Sequence, residues 1–301
     1  MGKVKSIIGR IGGKARLASW ITSQLKKYDW TFYCEPFVGS AAVYFQLYNE
    51  GVFKAIASQG NNIPRAVLND ADNRIVNLFK VCRDRPDELA NAIDFTPYSR
   101  SEHQLASQNE TIDEMEMARQ FLVLNQQSFS CRDDGGWSYS LQTQVSQSRK
   151  NIAVWNRLPE KITKVTTALK ECYLENDDAI AVIQRWATPN TCFYCDPPYV
   201  GTEYYYRHNR GGAEKQQEMH EQLAAILNDT PAACVAVSYY PHEILNTWYP
   251  EEKWTRHYKE VCVSSGYQKG INKPRKTELL LVRKQSNAIA NNFKQLSLFE
   301  L

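Results

Sequence analysis

The stretch TCFYCDPPYVGTEYYY, residues 191–206, sets an aspartate, two prolines and a tyrosine directly behind a short apolar run. Two adjacent prolines can neither continue a central strand nor donate to its ladder, so the strand stops at Cys195. Asp196 then stands at the carboxyl end of a buried strand, where open α/β sheets place ligands. An ionised aspartate only accepts hydrogen bonds, and the carbonyl of Pro197 is a second acceptor fixed beside it. Two acceptors aimed at one point suit an amino group with two hydrogens. In the exocyclic amine of adenine the nitrogen lone pair is delocalised into the ring. Holding both hydrogens favours the pyramidal nitrogen of a methyl-transfer transition state. Tyr199 offers a flat face on which an extruded base can stack. Pro197 and Pro198 keep the loop rigid, so its acceptors stay in register.

A second constellation lies nearer the amino terminus. EPFVGS, at 35–40, puts a glycine turn between a strand and a helix, and VLND ends the next strand at Asp70. Glycine at such a turn lets a ligand approach the backbone closely, and an acid on the following strand can accept hydrogen bonds from ribose hydroxyls. Gly39 and Asp70 fit that plan. The dinucleotide fingerprint G-x-G-x-x-G is absent, because Ala41 and Ala42 follow Ser40, so a nucleoside cofactor without a pyrophosphate fits better than NAD. A purely structural turn explains this stretch equally well by itself.

These residues need a frame to hold them. The chain has 301 residues, 43% hydrophobic and 23% charged, with a net charge of +3. That size allows a well-buried core without staples. No apolar run approaches the length of a membrane span and the start lacks a signal-peptide core, so a cytoplasmic protein is expected. RHNR at 207–210 and KPRK at 273–276 could each meet phosphates, although solvated surface charge explains either cluster as well. The eight cysteines are scattered; the close pair Cys192 and Cys195 points to opposite faces of a strand. Buried thiols are expected, and no structural metal.

Strand–loop–helix units at 32–51 and 65–82 argue for a parallel sheet. The pattern resumes at about 165 and closes with antiparallel segments near 256–264 and 277–283. Between them, residues 96–164 are rich in Ser, Gln and Arg and lack the alternation, which reads as an inserted lobe. The expected organisation is therefore 1–95, an insert at 96–164, 165–284, and a tail at 285–301.

Taken together, IGGK at 11–14, EPFVGSAAVYF, VLND, NDDAIAVI at 176–183, YCDPPY, VAVSYY at 235–240 and KTELLLV at 276–282 resemble the Dam-like, D12-class DNA adenine-N6 methyltransferases, including their phage-borne relatives. The similarity covers about 1–90 and 150–284 in the family's own order. It implies an α/β, Rossmann-like class I methyltransferase sheet with helices on both faces and an inserted, mainly helical or irregular DNA-recognition lobe. It also implies S-adenosylmethionine as cofactor and double-stranded DNA as substrate. By the resemblance Asp196, Pro197, Pro198 and Tyr199 form the catalytic loop. Arg10, Gly12, Gly13, Lys14, Glu35, Pro36, Phe37, Gly39, Ser40, Asp70, Asp178 and Asp196 shape the cofactor site, with Asp177 as an alternative to Asp178. No metal is needed, since the leaving group is already a sulfonium. Arg10 and Ala41 depart from the family, which often has an aromatic and a glycine there.

In the insert, LNQQSFSCRDDGGW resembles the family's recognition hairpin without matching it residue by residue, so no target sequence follows. Ser128, Arg132 and Trp137 are the expected DNA contacts there, with Arg132 the candidate for a base edge. Tyr204, Arg207 and Arg210, behind the catalytic loop, combine stacking with charge. QLSLF, from Gln295 through Leu296, Ser297 and Leu298 to Phe299, is identical to a preferred bacterial sliding-clamp pentapeptide. A ten-residue linker, 285–294, precedes it; a flexible chain of that length spans about 17–19 Å. Rival readings are a methylase of RNA or protein amide nitrogen, and an inactive module that docks on DNA or the clamp.

Overall fold

The computed structural model describes residues 2–10, 12–58, 65–108, 110–131, 135–139, 147–201, 212–262 and 275–284. Its first helices are α1 (Ala18–Leu25), α2 (Ala42–Asn49), α3 (Val52–Ala57), α4 (Asn73–Asp84), α5 (Pro86–Asp94) and α6 (Arg100–Gln108). There follow α7 (Glu114–Gln127), α8 (Gln147–Trp155), α9 (Leu158–Leu169), α10 (Ala179–Trp186), α11 (Gly212–Asp229) and α12 (Leu245–Trp248). The strands are β1 (Phe32–Glu35), β2 (Ala66–Asn69), β3 (Cys172–Glu175), β4 (Thr191–Cys195), β5 (Cys234–Tyr239), β6 (Trp254–Cys262) and β7 (Arg275–Arg283). They fall into two compact units, one of Met1–Thr22 with Phe37–Asp178, the other of Ser23–Pro36 with Ala179–Leu301.

In the first unit β2 and β3 pair in parallel, with Val67 opposite Tyr173. In the second the strand order is β1-β4-β5-β7-β6. There β1, β4 and β5 run parallel, while β7 pairs antiparallel with both β5 and β6. Every residue of β2, β4 and β5 is buried. A strand covered on both faces needs apolar side chains at each position, which is why TCFYC and CVAVSY show no period-two pattern. The chain is thus a Rossmann-like α/β protein, as the sequence motifs imply. No described helix is long and apolar enough to cross a membrane.

Helix limits follow from local chemistry. Asp72 caps α4 by accepting the Arg74 N–H, and Ile75, Leu78, Phe79 and Cys82 then place one apolar stripe in the core. Pro86 opens α5, where its missing N–H costs nothing. Within residues 96–164, α6, α7 and α8 supply regular structure where the polar sequence shows little period. Cys192 and Cys195 are free buried thiols on β4.

One side chain fixes the segment that enters the glycine loop. The Asn125 amide of α7 accepts the Gly9 N–H at 2.8 Å and donates to the Gly9 carbonyl at 2.8 Å. The chain passes so close that a Cβ on Gly9 would meet the Cys131 Sγ at 2.6 Å. Asn125 is only 1% exposed, so its replacement leaves a peptide without partners. Asn125→Ala is expected to lose about 1–3 kcal/mol of stability, read as a lower urea midpoint at unchanged slope.

Candidate active site

In the first unit, Arg10 and the segment 12–14 lie close together. The Gly13 N–H donates to the Arg10 carbonyl at 3.0 Å; a Cβ on Gly13 would press on that oxygen. Gly12 has φ 76°, a conformation open to glycine. Lys14, expected at a cofactor, is buried and donates from Nζ to the Gly12 carbonyl at 2.7 Å. Its ammonium therefore staples the loop.

The turn that leads into α2 is held by the residue that follows β2. Asp70 follows β2, and its Oδ2 accepts the Gly39 N–H at 2.9 Å while Oδ1 accepts the Asp72 N–H at 3.0 Å. Burial raises the Asp70 pKa, opposed by the Arg10 charge and by these two backbone donors. Two donors leave lone pairs free on a carboxylate that has about four acceptor sites. Gly39 itself has φ 47°, and a Cβ there would meet only the Arg10 Cδ, at 3.8 Å. Arg10, Gly39 and Asp70 thus lie together. Phe37 and Ser40 flank them, partly exposed. Ala41 adopts φ 55°, ψ 27°, a left-handed backbone on a residue that carries a Cβ.

Asp72 was not singled out as a site residue, yet it organises this turn. Its Oδ2 meets Arg74 at 2.6 Å and Arg10 at 3.3 Å, which fixes the Arg10 guanidinium beside the glycine loop. Asn69, the last residue of β2, exchanges hydrogen bonds with the backbone of Asp177, at 2.9 Å and 3.1 Å. Asp177 and Asp178 are both exposed, and Asp177 Oδ1 accepts the Asp178 N–H.

In the second unit, β4 ends at Cys195 and the Asp-Pro-Pro-Tyr loop follows, as the prolines dictate. Asp196 is partly exposed and Pro197 buried. The Tyr199 hydroxyl donates to the buried carboxylate of Glu278 on β7. Its ring is 6% exposed, packed against Tyr239 at 5.7 Å and edge-on to Tyr240 at 4.6 Å. The open stacking face expected of Tyr199 is largely covered, and the half-exposed Tyr240 stands next to it with the Lys276 ammonium 4.7 Å over its ring. Glu35, expected at a cofactor, is 2% exposed and accepts the Tyr33 hydroxyl at 2.9 Å; Pro36 beside it is buried. Tyr194 sits within this group of acids. Its pKa is raised well above the ordinary value by burial, then by the charge of Asp196, with Glu278 and Glu35 adding to it. Tyr199 is raised in the same way, by burial, Asp196 and Glu278. Both phenols stay neutral beside these acids, and the Tyr199 hydroxyl donates to Glu278. Glu278 lies 79 residues from Tyr199, and nothing in the sequence pattern joins them.

Ser128 and Trp137 come together in an antiparallel bridge, and the Ser128 Oγ lies 2.8 Å from His103 Nε2. Arg132, Tyr204, Arg207, Arg210 and the QLSLF segment lie outside the described residues.

Acceptors and neutral phenols grouped at a strand end, on a Rossmann-like α/β frame, place the protein among the methyltransferases. Residues 11–262 match the model of the D12 class N6 adenine-specific DNA methyltransferases, and the chain belongs to that family. It is an adenine-specific DNA methyltransferase. No curated protein matches the chain significantly.

The Asp72 hub has a pH signature. Burial opposes its ionisation, but the Arg74 hydrogen bonds and the charges of Arg74 and Arg10 prevail and bring its pKa from 3.8 to about 2. A depressed carboxylate contributes stability that is present above its unfolded pKa and lost as pH falls through the folded one. The wild-type advantage over Asp72→Asn is expected to be on the order of 2 kcal/mol at neutral pH. Urea unfolding in a pH series should show that advantage shrinking between about pH 4 and about pH 2.

Proposed function

We propose that the protein transfers a methyl group from S-adenosylmethionine to the N6 amine of an adenine swung out of duplex DNA. The observation that carries this reading is the Asp196 loop. A carboxylate and a rigid proline carbonyl follow a fully buried strand, beside phenols that burial keeps neutral. The Asp196 carboxylate and the Pro197 carbonyl each accept one N–H of the amine, and the pull of both returns the lone pair to nitrogen. The negative charge of Asp196, with Glu278 close to the same phenols, favours the positive charge that develops on that nitrogen. Glu278 holds Tyr199 by its hydroxyl, and the largely covered Tyr199 ring backs the partly exposed Tyr240, whose face is left for the base.

The first unit supports a nucleoside cofactor. The Gly39 amide is fixed by Asp70, the loop is open on the side a Cβ would occupy, and Asp70 keeps acceptor sites for ribose hydroxyls. Arg10, Gly12, Gly13, Lys14, Phe37, Gly39, Ser40 and Asp70 would hold S-adenosylmethionine, with Asp178 or Asp177 for its base. When bound, it supplies a methyl on a sulfonium. Asp196→Ala removes one of two acceptors that strengthen in the transition state, so labelled-methyl incorporation into duplex DNA should fall about a hundredfold or more. Near-normal turnover in a folded Asp196→Ala protein would overturn the mechanism.

A second interaction is inferred from QLSLF alone. Leu298 and Phe299 are adjacent apolar anchors and Gln295 offers an amide, a pattern suited to a bacterial sliding clamp. Full-length protein is expected to bind such a clamp, and Leu298→Ala with Phe299→Ala to abolish binding, since such anchors dominate small interfaces. Methylation of short free duplexes by the same double variant should stay unchanged. Clamp binding that survives the double substitution removes the idea.

A further inference from the structure

Arg100 opens α6, whose amino end Ser99 caps by accepting the Glu102 N–H at 3.1 Å. A cation at that end is disfavoured by the helix dipole. The acid of the same turn, Glu102, is engaged by Arg119 at 3.0 Å. Among the described residues the Arg100 guanidinium has no ion-pair or hydrogen-bond partner, and its side chain is exposed. It is held instead by rings: its Cζ lies 4.9 Å from the Trp137 centroid and 5.2 Å from that of Tyr139.

That platform is itself built. Trp137 and Tyr139 are two residues apart on an extended arm, so they share one face, and their rings stack at 5.4 Å with 16° between planes. Ser138 between them faces the opposite way into the insert. Its carbonyl accepts the Tyr98 hydroxyl at 2.9 Å and its Oγ accepts from Asn151 at 3.1 Å. Trp137 pairs with Ser128, which meets His103 of α6, so the arm and the helix that carries Arg100 are joined. Tyr139 remains 55% exposed.

A weakly hydrated, planar guanidinium whose donors meet no described residue, fixed on an aromatic stack at the positive end of a helix, is prepared for an anionic or acceptor-rich partner. We propose that Arg100, on its Trp137–Tyr139 platform, is a DNA-contacting residue of the insert. Its donors meet acceptor oxygen or nitrogen atoms of the duplex, at a phosphate or at a guanine edge. The proposal rests on the reading of the protein as a duplex-DNA methyltransferase.

The test is binding of a fluorescein-labelled duplex by full-length protein, followed by anisotropy over a salt series and a panel of sequences. Arg100→Ala should weaken binding about tenfold or more at low salt. Tyr139→Ala, which keeps the charge and removes half the platform, should weaken it less. At a phosphate, Arg100→Lys restores most of the affinity, and the alanine variant loses uniformly across sequences with a shallower salt slope. At a guanine edge, lysine fails to restore it and the preference among duplexes broadens. Thermal melting of each variant controls for folding, and Arg100→Glu must weaken binding more than Arg100→Ala. Wild-type affinity in Arg100→Ala overturns this inference alone. Absence of DNA binding by the wild-type protein would instead count against the methyltransferase reading.

Discussion

A buried carboxylate has to be matched by donors, and each of the two units is organised around that requirement. Removing such a group from water without compensation costs several kcal/mol or drives it to take up a proton. Asp70 is matched by the Gly39 and Asp72 amides, and Asp72 by two guanidinium groups. Glu35 is matched by the Tyr33 hydroxyl and Glu278 by that of Tyr199. Each pairing also positions something else: a loop, an arginine, or an aromatic ring.

The two units meet this requirement with different donors, and the difference suits their roles. Backbone amides cannot swing away, so Asp70 and the glycine turn fix one another and the turn keeps its shape. Phenols are mobile about their side-chain torsions but carry large apolar rings, so anchoring the hydroxyl of Tyr199 also fixes the ring against which Tyr239 and Tyr240 pack. Burial and the surrounding acids keep those phenols protonated. Their donor role is therefore constant where histidine would switch.

The sequence made the strand ends legible because their chemistry is local. Two prolines stop a strand wherever they stand, and a glycine turn before an acid-terminated strand is a short-range pattern. The all-buried strands were legible for the same reason, as apolar runs bounded by turn residues. Partners contributed from far along the chain were not. Glu278 lies 79 residues from Tyr199 and Asn125 lies 116 from Gly9, and no period links such positions. The covered ring of Tyr199 was missed on these grounds: Asp-Pro-Pro-Tyr specifies the loop, whereas Tyr239, Tyr240 and Glu278 decide how much of the ring remains open. Arg100 carries no such local signal, because its partners, Trp137 and Tyr139, sit on another element.

Ala41 shows how far a local rule can bend. Its left-handed backbone, φ 55°, costs an alanine about 1–2 kcal/mol where glycine would pay nothing. The same alanine is fully buried, and covering its methyl returns about 0.8 kcal/mol. An alanine also has less backbone freedom to lose on folding than a glycine, a difference of about 0.4–1 kcal/mol. The terms nearly cancel, so the turn tolerates a residue that the simple glycine pattern excludes. What holds the conformation is the pair of hydrogen bonds on either side, Ala41 N–H to the Val38 carbonyl at 2.7 Å and Gly39 N–H to Asp70. The loop geometry thus depends more on the acid at the end of β2 than on the number of glycines in the turn.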